Sequence, residues 1–360
     1  MTVLNVLAID DSRWPDLVRE AKADIFYEPS YCRFLTEGTP HSPVMLSYED
    51  DLGRVFDVTV VKAIRSLPFF ADIADQLSHS PVDLASPDYN SPIILADPRD
   101  VNELLRRYRH SVDQYCREAN VVTEFVRFHP LSENVAACSQ ILEIHAGSEL
   151  IYIDLRSGYE AAFQEYRKGH KSTVKKAARE GAEFRFCTND DIGGLAKVYQ
   201  LYTETMQRKD AKSVYLHGFE HFQNMARYLG DHLVVMQSLV EGQVASANIF
   251  FLGRKHIWFK YSGLDQTLRA SGAHTFMLDR AIHWACEQGF DYFMLGGGME
   301  PGDSTHASKR GFSHLSACVH HMKKIHDEKM MNLLVEAKTA YDNRIGHPTR
   351  TAYFPSYWLS

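Results

Sequence analysis

HLVVMQSLVEGQVASANIFFLGRKHIWFKYSG, residues 232–263, is the stretch that decides the fold. It contains three runs rich in β-branched and aromatic residues, separated by Glu241-Gly242 and by Gly253-Arg254. Short glycine-bearing turns between such runs are typical of β-hairpins. The stretch therefore predicts three consecutive strands of an antiparallel meander.

The residues after the meander predict a helix, a strand, a loop and a further strand. In SGAHTFMLDRAIHWACEQGF, residues 271–290, apolar residues from Phe276 to Ala285 recur at helical spacing, and Gly289 supplies a stop. The strand YFML, residues 292–295, follows and leads into a glycine-rich loop. The segment HLSACVHHMKKI, residues 314–325, predicts the last strand.

A similar order of elements occurs about 190 residues earlier in the chain. It consists of a hairpin over residues 44–64, the loop SPDYNSP, a helix over residues 98–119 and the strand-like VVTEFVRFHP. The sequence therefore predicts two similarly built domains, residues 1–150 and 151–326, followed by a helix and an aromatic tail over residues 327–360 that docks on the body. The predicted fold class is α/β (α+β), and each domain is a mixed, largely antiparallel sheet flanked by helices.

Composition narrows the class of protein. The 360 residues carry 46 acidic and 39 basic side chains, which argues against a general polyanion-binding protein. The six cysteines are scattered without a paired spacing, as expected of reduced thiols in a cytoplasmic protein. We find neither a secretory signal pattern nor the roughly 20 apolar residues that span a bilayer. The sequence predicts a cytoplasmic protein without membrane insertion, and it does not indicate an oligomeric state.

Three stretches resemble the GNAT acyltransferase superfamily, in particular its Fem-type branch of aminoacyltransferases and the related BioF2-like acetyltransferases. They are YRKGHKSTVKKAAREGAEFRF (166–186), MLDRAIHWACEQGFDYFMLGGG (277–298) and Lys309-Arg310-Gly311-Phe312. RFHP (127–130) and SPDYNSP (86–92) are similar to first-domain elements of the same branch. The resemblance implies two tandem GNAT-like domains and a cytoplasmic N-acyltransferase.

The loop LGGGMEPGDSTHASKRGFS, residues 295–313, is the predicted catalytic element. Gly296, Gly297 and Gly298 let a substrate approach the backbone closely. By family resemblance, Lys309 acts in catalysis or donor positioning, and Arg310 is assigned to the donor site. Glu300 and Asp303 are candidates for a general base. The alternative is that the glycines only relieve a turn and that Lys309 and Arg310 are solvated.

The donor is assigned from residues 269–274. Arg269 and Gly272 match the start of the pyrophosphate loop that GNAT acetyltransferases use for CoA, but His274 replaces a small residue there. An imidazole would crowd the N–H groups that contact phosphate. This departure slightly favours aminoacyl-tRNA, the donor of the Fem-type enzymes, over acyl-CoA as co-substrate. We expect no tightly bound cofactor, and an alternative is that these residues merely cap the helix.

A basic segment offers a second indication. Six cations lie between Arg167 and Arg179, and a solvated helix face is their ordinary explanation. The alternative is contact with the phosphates of a tRNA acceptor stem or of a nucleotide-linked acceptor.

The acceptor is expected in a cleft between the domains. Its candidate contacts are Tyr89, Arg127 and His129 from the first domain and Arg208, Tyr215 and Tyr261 from the second. Arg127 could instead form an ordinary ion pair between the two predicted domains.

No metal site is predicted. His217, Glu220 and His221 match an H-x-x-E-H spacing, but Gly218 weakens the helix which that motif needs. The preferred function is transfer of an aminoacyl or acyl group to a primary amine of a cell-envelope precursor, such as a peptidoglycan precursor, or of a small metabolite. The alternatives are an acyl-CoA-dependent transferase acting on an amino sugar or amino acid, and a non-catalytic binding protein on a decayed transferase scaffold.

Overall fold

The computed structural model describes residues 4–187, 191–298, 303–346 and 353–358. Contacts divide the chain into two compact units, which we call the first unit (Met1–Gly147 with Val319–Ser360) and the second unit (Ser148–Cys318). Residues 319–325, which the sequence analysis assigns to the second domain, therefore pack with the first unit.

Strands and helices are interspersed along the described part of the chain. The strands are β1 (Asn5–Ala8), β2 (Ser42–Asp50), β3 (Gly53–Ala63), β4 (Val82–Ala85), β5 (Ile93–Ala96), β6 (Val121–Arg127), β7 (Ile144–Asp154), β8 (Glu183–Cys187), β9 (Leu233–Val240), β10 (Gln243–Leu252), β11 (His256–Leu264), β12 (Tyr292–Gly296) and β13 (Ser316–Ile325). The α-helices are α1 (Arg13–Glu20), α2 (Pro29–Thr36), α3 (Val101–Glu118), α4 (Val135–Cys138), α5 (Tyr159–Glu165), α6 (Lys168–Arg179), α7 (Ile192–Arg208), α8 (Phe219–Leu229), α9 (Ala273–Glu287), α10 (Ser304–Lys309) and α11 (Glu328–Ile345).

The first unit is a mixed, largely antiparallel sheet with helices packed on it. Strands β1, β2, β3 and β4 pair antiparallel in that order, β4 pairs parallel with β6, and β13 pairs antiparallel with β6. The amphipathic helix α3 buries Leu104, Tyr108 and Val112 against this sheet. Leu334 of α11 and Tyr357 of the tail share a second buried cluster with Phe69.

The second unit repeats this construction. Strand β7 pairs antiparallel with β12, and β12 pairs parallel with β11. The meander β11, β10, β9 follows, and β8 pairs antiparallel with β9. Helix α9 buries Met277, Ile282 and Ala285 in a core that includes Phe250 and Phe293. In each unit, one parallel pair thus joins the antiparallel strands to a further strand. This pair is β4 with β6 in the first unit and β11 with β12 in the second unit.

Most of the elements predicted from hydrophobic periodicity are present. The meander, the helix over residues 271–290, the hairpin over residues 44–64 and the helix within residues 98–119 are confirmed, with bounds that differ by a few residues. One expectation is wrong, because residues 304–309 form helix α10 and are not a continuous loop. Among the described residues, no helix is both long and apolar enough to cross a membrane.

Gly263 of β11 packs tightly against α7. A Cβ atom at residue 263 would lie 2.4 Å from Leu201 Cβ and 2.6 Å from the backbone nitrogen of Tyr202. Because backbone atoms of a helix cannot move aside individually, we expect Gly263→Ala to lower the free energy of unfolding by roughly 2–3 kcal/mol, as measured by urea denaturation.

Gly169→Ala is the matched control. Gly169 lies in α6, and a Cβ atom there would meet no other heavy atom within 4 Å. We expect Gly169→Ala to leave stability unchanged or to raise it by up to about 1 kcal/mol. Equal stabilities of the two variants would contradict the close packing of α7 on β11.

Candidate active site

The site lies where two parallel strands of the second unit stop pairing. The register of β11 with β12 ends at Trp258 opposite Met294, although β11 continues to Leu264 and β12 to Gly296. A shift in register between Ile249 and Phe250 of β10 accompanies this change, opposite Tyr261 and Phe259 of β11. Beyond these residues β11 and β12 no longer pair with each other, although Phe259 still pairs with β10 and Gly296 still pairs with β7.

Lys309 reaches back over these strand ends from the last turn of α10. Its Nζ donates a hydrogen bond to Gly297 O at 2.6 Å and lies 5.9 Å from the ring centre of Phe259. Burial lowers the pKa of Lys309 to about 8; Asp303 opposes this effect, and Lys209 adds to it. The ammonium is thus partly withdrawn from water but remains charged in most molecules at pH 7. Lys309 is therefore not the fully solvated lysine that the alternative interpretation expects.

Each of the three glycines is approached closely by another part of the chain. Gly296 has φ of +83°, and a Cβ atom on it would lie 3.1 Å from Lys309 Nζ. A Cβ atom on Gly297 would lie 2.8 Å from Glu149 O, and one on Gly298 would lie 2.5 Å from an oxygen of Asp303. The absence of side chains at residues 296–298 thus allows α10 and β7 to pack against the end of β12.

Of the two predicted general bases, Asp303 and Glu300, the structure describes only Asp303. Asp303 is the N-cap of α10, where its Oδ1 accepts a hydrogen bond from the backbone N–H of His306 at 2.6 Å. This gives the carboxylate a structural task in fixing the helix that carries Lys309. Glu300 lies outside the described residues. The catalytic roles of both residues stay predictions.

Arg269 and Gly272 lie at the start of α9. Arg269 is exposed, and Gly272 is the N-cap residue with Thr173 of α6 packed against its backbone. The first N–H groups of a helix lack acceptors within the helix. Those of His274 and Thr275 are therefore suited to an anion, with the charge at a helix N-terminus adding to the attraction.

His274 does not crowd this helix start, contrary to the sequence-based argument. Its Nδ1 forms a 2.8 Å hydrogen bond with Ser246 Oγ of β10, and its ring centre lies 6.4 Å from that of Phe259. Burial lowers the pKa of His274 to about 4, with Lys209, His170 and Lys309 adding repulsion. The imidazole is therefore neutral at pH 7 and bonded to the sheet, so its presence is no reason to reject CoA as donor.

The basic segment forms helix α6, which borders this site. His170 forms a 3.0 Å hydrogen bond with Ser308 O of α10, and Thr173 contacts Gly272. The cations Lys168, Lys175 and Arg179 are exposed on the helix side away from the buried Val174 and Ala177, whereas Lys171 is half-buried and donates to Gln164 O at 2.7 Å. One face of α6 thus contacts the site while the other presents a stripe of positive charge.

The first-unit acceptor candidates fall into two environments. Arg127 lies 5.9 Å from the ring centre of Tyr89 and 3.4 Å from Asp88, with about half of its side chain exposed. His129 is buried, and its Nε2 lies 3.2 Å from Asp24 Oδ2. The structure therefore brings Tyr89 and Arg127 together and gives His129 a buried partner in its own unit.

The second-unit candidates lie on a cluster of rings beside β11. Tyr261 shares a 2.9 Å hydrogen bond with His221, whose ring stacks on that of His217 at 4.0 Å. Tyr215 is exposed, and its carbonyl accepts a hydrogen bond from Tyr202. Arg208 is exposed at the end of α7 and forms no ion pair with the described residues.

The sequence analysis does not identify three residues of the site, namely Lys209, Glu149 and His306. Lys209 donates to Thr305 Oγ1 at 2.9 Å, and Arg310, a donor-site candidate, pairs with Glu149 instead of facing solvent. His306 also contacts Glu149, at 2.8 Å. No sequence signal marks Glu149 or Lys209, because their partners are distant in the chain.

The first unit contains a cluster of side chains of the kinds that bind metals. An ion-pair network explains this cluster better than a metal site. Ligand atoms of Cys116, Glu124 and His326 lie within 4.8 Å of one another. The Glu124 carboxylate, however, accepts from Arg109 at 2.8 Å and bonds His326 at 3.0 Å. A guanidinium at this distance disfavours a further cation.

A cavity of about 20 Å³ adjoins this network and has Asp57 in its lining. That volume accommodates about one water molecule. We therefore do not assign it a substrate.

Comparison with known proteins supports the acyltransferase interpretation. Residues 164–303 match the family model described as an acetyltransferase (GNAT) domain. A crystal structure of FemX is similar with a TM-score of 0.70 and 10% identity, covering 91% of this chain and 99% of that one. L-PGS from Bacillus licheniformis is similar with a TM-score of 0.55 and 11% identity, covering 92% and 97%. No curated protein matches.

A third similar structure is the C-terminal domain of a putative lysylphosphatidylglycerol synthetase from Agrobacterium fabrum. Its TM-score is 0.52 with 12% identity, and the match covers 91% of this chain and 94% of that one. The GNAT domain match and the shared fold confirm the predicted fold class, and they support the resemblance to the Fem-type branch and an acyltransferase role.

The burial of Lys309 has a cost in stability that can be measured. Its pKa of about 8 in the folded protein lies below the ordinary 10.5, so the unfolded chain binds more protons between these values. We expect Lys309→Met to raise the free energy of unfolding at pH 7 by about 2 kcal/mol, since removal of the desolvation penalty outweighs the lost hydrogen bond. Denaturation curves of both proteins from pH 6 to 11 measure the difference.

The direction of the pH dependence follows from the lowered pKa. Between pH 8 and pH 10.5 the free energy of unfolding of the wild-type protein should rise toward that of Lys309→Met, because the neutral amine carries no charge to desolvate. At pH 10.5 the difference between the two proteins should have closed. A variant less stable than the wild-type protein at every pH would contradict the lowered pKa.

Proposed function

We propose that the second unit catalyses transfer of an acyl group, preferentially an aminoacyl group, from an activated ester or thioester to a primary amine. The observation that carries this proposal is the ammonium of Lys309, held 2.6 Å from Gly297 O where the parallel strands β11 and β12 have stopped pairing with each other. A partly desolvated cation with a pKa of about 8 is suited to stabilising negative charge that develops on oxygen.

The reaction needs few side chains. The amine nitrogen attacks the donor carbonyl, and the electron pair of the C=O bond moves to oxygen. Collapse of this intermediate breaks the bond to the leaving alkoxide or thiolate, which takes up a proton, while the nitrogen loses one. Lys309 supplies the cation for the oxyanion or the leaving group, and Asp303 or Glu300 is proposed to take the nitrogen's proton.

The donor is proposed to be aminoacyl-tRNA, with acyl-CoA as the alternative. The outward cations of α6 support this choice, because the opposite face of that helix contacts both α10 and the start of α9. A polyanion bound along this stripe would lie on the helix that packs against the site. The name of the Agrobacterium protein denotes an aminoacylated product, in keeping with such a donor. The inward position of His274 keeps acyl-CoA as a candidate.

The acceptor is proposed to be a primary amine of a cell-envelope precursor or a small metabolite, and Tyr89, Arg127, His129, Arg208, Tyr215 and Tyr261 remain its proposed contacts. An exposed guanidinium such as that of Arg127 suits a carboxylate or a diphosphate. A cytoplasmic location fits this assignment and is part of the proposal.

Lys309→Met is expected to lower kcat/KM for transfer by roughly a hundred- to a thousandfold, the typical effect of removing one charge-stabilising donor. In the wild-type protein, kcat/KM should fall above pH 8 as the ammonium deprotonates. Lys309→Arg should retain part of the activity and lose this decline, because the guanidinium stays charged. Transfer of labelled amino acid from charged tRNA, or of labelled acetyl from acetyl-CoA, provides the assay.

Lys329→Met is the matched control, since Lys329 is an exposed lysine on α11 of the first unit. It should retain full activity. Unchanged turnover in Lys309→Met would show that Lys309 takes no part in the chemistry. Binding of the ligands by the wild-type protein without any transfer would instead indicate a non-catalytic binding protein.

The donor is tested by the triple variant Lys168→Ala/Lys175→Ala/Arg179→Ala. With aminoacyl-tRNA, KM should rise at least tenfold and the slope of log(kcat/KM) against log salt should flatten by about 2–3, since each lost phosphate contact removes nearly one unit. Calorimetry with CoA, acetyl-CoA and charged tRNA identifies the preferred ligand directly. Tight binding of CoA alone, unaffected by the triple variant, would overturn the tRNA proposal.

A further inference from the structure

Glu149 of β7 bonds the residues on both sides of Lys309. Its Oε2 lies 2.8 Å from His306 Nε2, and its Oε1 accepts from Arg310 Nη2 at 2.5 Å. His306 precedes Lys309 by one turn of α10, and Arg310 follows it directly. The Ser316 hydroxyl, His306 and Arg310 lower the pKa of the Glu149 carboxyl to about 2. The carboxylate is therefore ionised throughout the neutral range.

The backbone of Glu149 is part of the same arrangement. A Cβ atom on Gly297 would lie 2.8 Å from Glu149 O, so β7 packs directly against the residue whose carbonyl accepts from Lys309. One residue thus contacts the glycine through its main chain and the lysine's helix through its side chain. Glu149 itself is 44% exposed, whereas His306 and Arg310 are only 16% and 20% exposed. The ion pairs are therefore partly shielded on the side of α10.

We propose that Glu149 is a positioning residue of the transferase site, whose carboxylate holds α10 so that the Lys309 ammonium stays against Gly297. This inference rests on the proposed function for its catalytic meaning, but the positioning can be measured without any substrate. Other contacts hold the C-terminal end of α10, notably Arg310 to His314 O and His170 to Ser308 O. Glu149 differs from them because it links both sides of the lysine to the strand beside the glycine.

The Lys309 ammonium reports on this position. Its surroundings include Asp303 on the same segment, Lys209 from α7, His274 from α9 and Glu149's partners His306 and Arg310. Burial is the largest cause of its lowered pKa. If α10 loosens, water reaches the ammonium, and its pKa must rise toward the ordinary value.

The test compares Glu149→Ala, Glu149→Gln and the wild-type protein by trace labelling with acetic anhydride from pH 6 to 11. Peptide mass spectrometry gives the pKa of Lys309 in each protein. We expect about 8 in the wild-type protein, a rise of more than one unit in Glu149→Ala, and a smaller rise in Glu149→Gln, whose amide keeps one acceptor oxygen. In the transfer assay, kcat of Glu149→Ala should fall roughly ten- to a hundredfold and its alkaline decline should move to higher pH.

Glu165→Gln is the matched control. Glu165 also pairs with a histidine at 2.8 Å, His314, but its partner lies outside α10. This variant should leave the pKa of Lys309 unchanged. A Lys309 pKa in Glu149→Ala equal to that of the wild-type protein, with the fold intact by circular dichroism, would overturn the inference. Failure of the wild-type protein to transfer any acyl group would refute the proposed function, while labelling would still decide the role of Glu149.

Discussion

The hydrogen bond from Lys309 Nζ to Gly297 O is the interaction on which the rest of the site depends. It requires a strand end without a side chain at residue 296, a parallel neighbour that has stopped pairing, and a helix that carries a lysine back across the gap. Burying an ammonium is unfavourable, as the lowered pKa of Lys309 shows. A fold maintains such a group only where surrounding contacts fix it, and such groups are concentrated at functional sites.

Those surrounding contacts come from separate elements of the second unit. Asp303 caps α10, Lys209 reaches it from the end of α7, His170 from α6, and Glu149 from β7. All four are ionisable residues, and Lys209, His170 and Glu149 bond residues of α10 that are far away in the sequence. The short helix is therefore held by tertiary contacts, since six residues do not form a stable helix by themselves.

The sequence predicts the elements better than it predicts the site. The meander over residues 232–263 and helix α9 have strong periodicity and clear turn residues, and both are confirmed. Helix α10 lies in a stretch rich in glycine and polar residues, where local propensity indicates a loop. The side-chain direction of His274 depends on Ser246, which is 28 residues away, so spacing alone suggested crowding that the structure does not show. Glu149 has no local signal for the same reason.

Residues 164–303 match an acetyltransferase (GNAT) domain model, and the ammonium beside Gly297 is the proposed centre of acyl transfer. The most direct measurement is a crystal structure with a stable amide that joins an aminoacyl donor fragment to its amine acceptor. The account predicts the amide oxygen within hydrogen-bonding distance of Lys309 Nζ, with the donor end toward the start of α9. An amide bound elsewhere, with Lys309 still on Gly297 and unaffected, would contradict it.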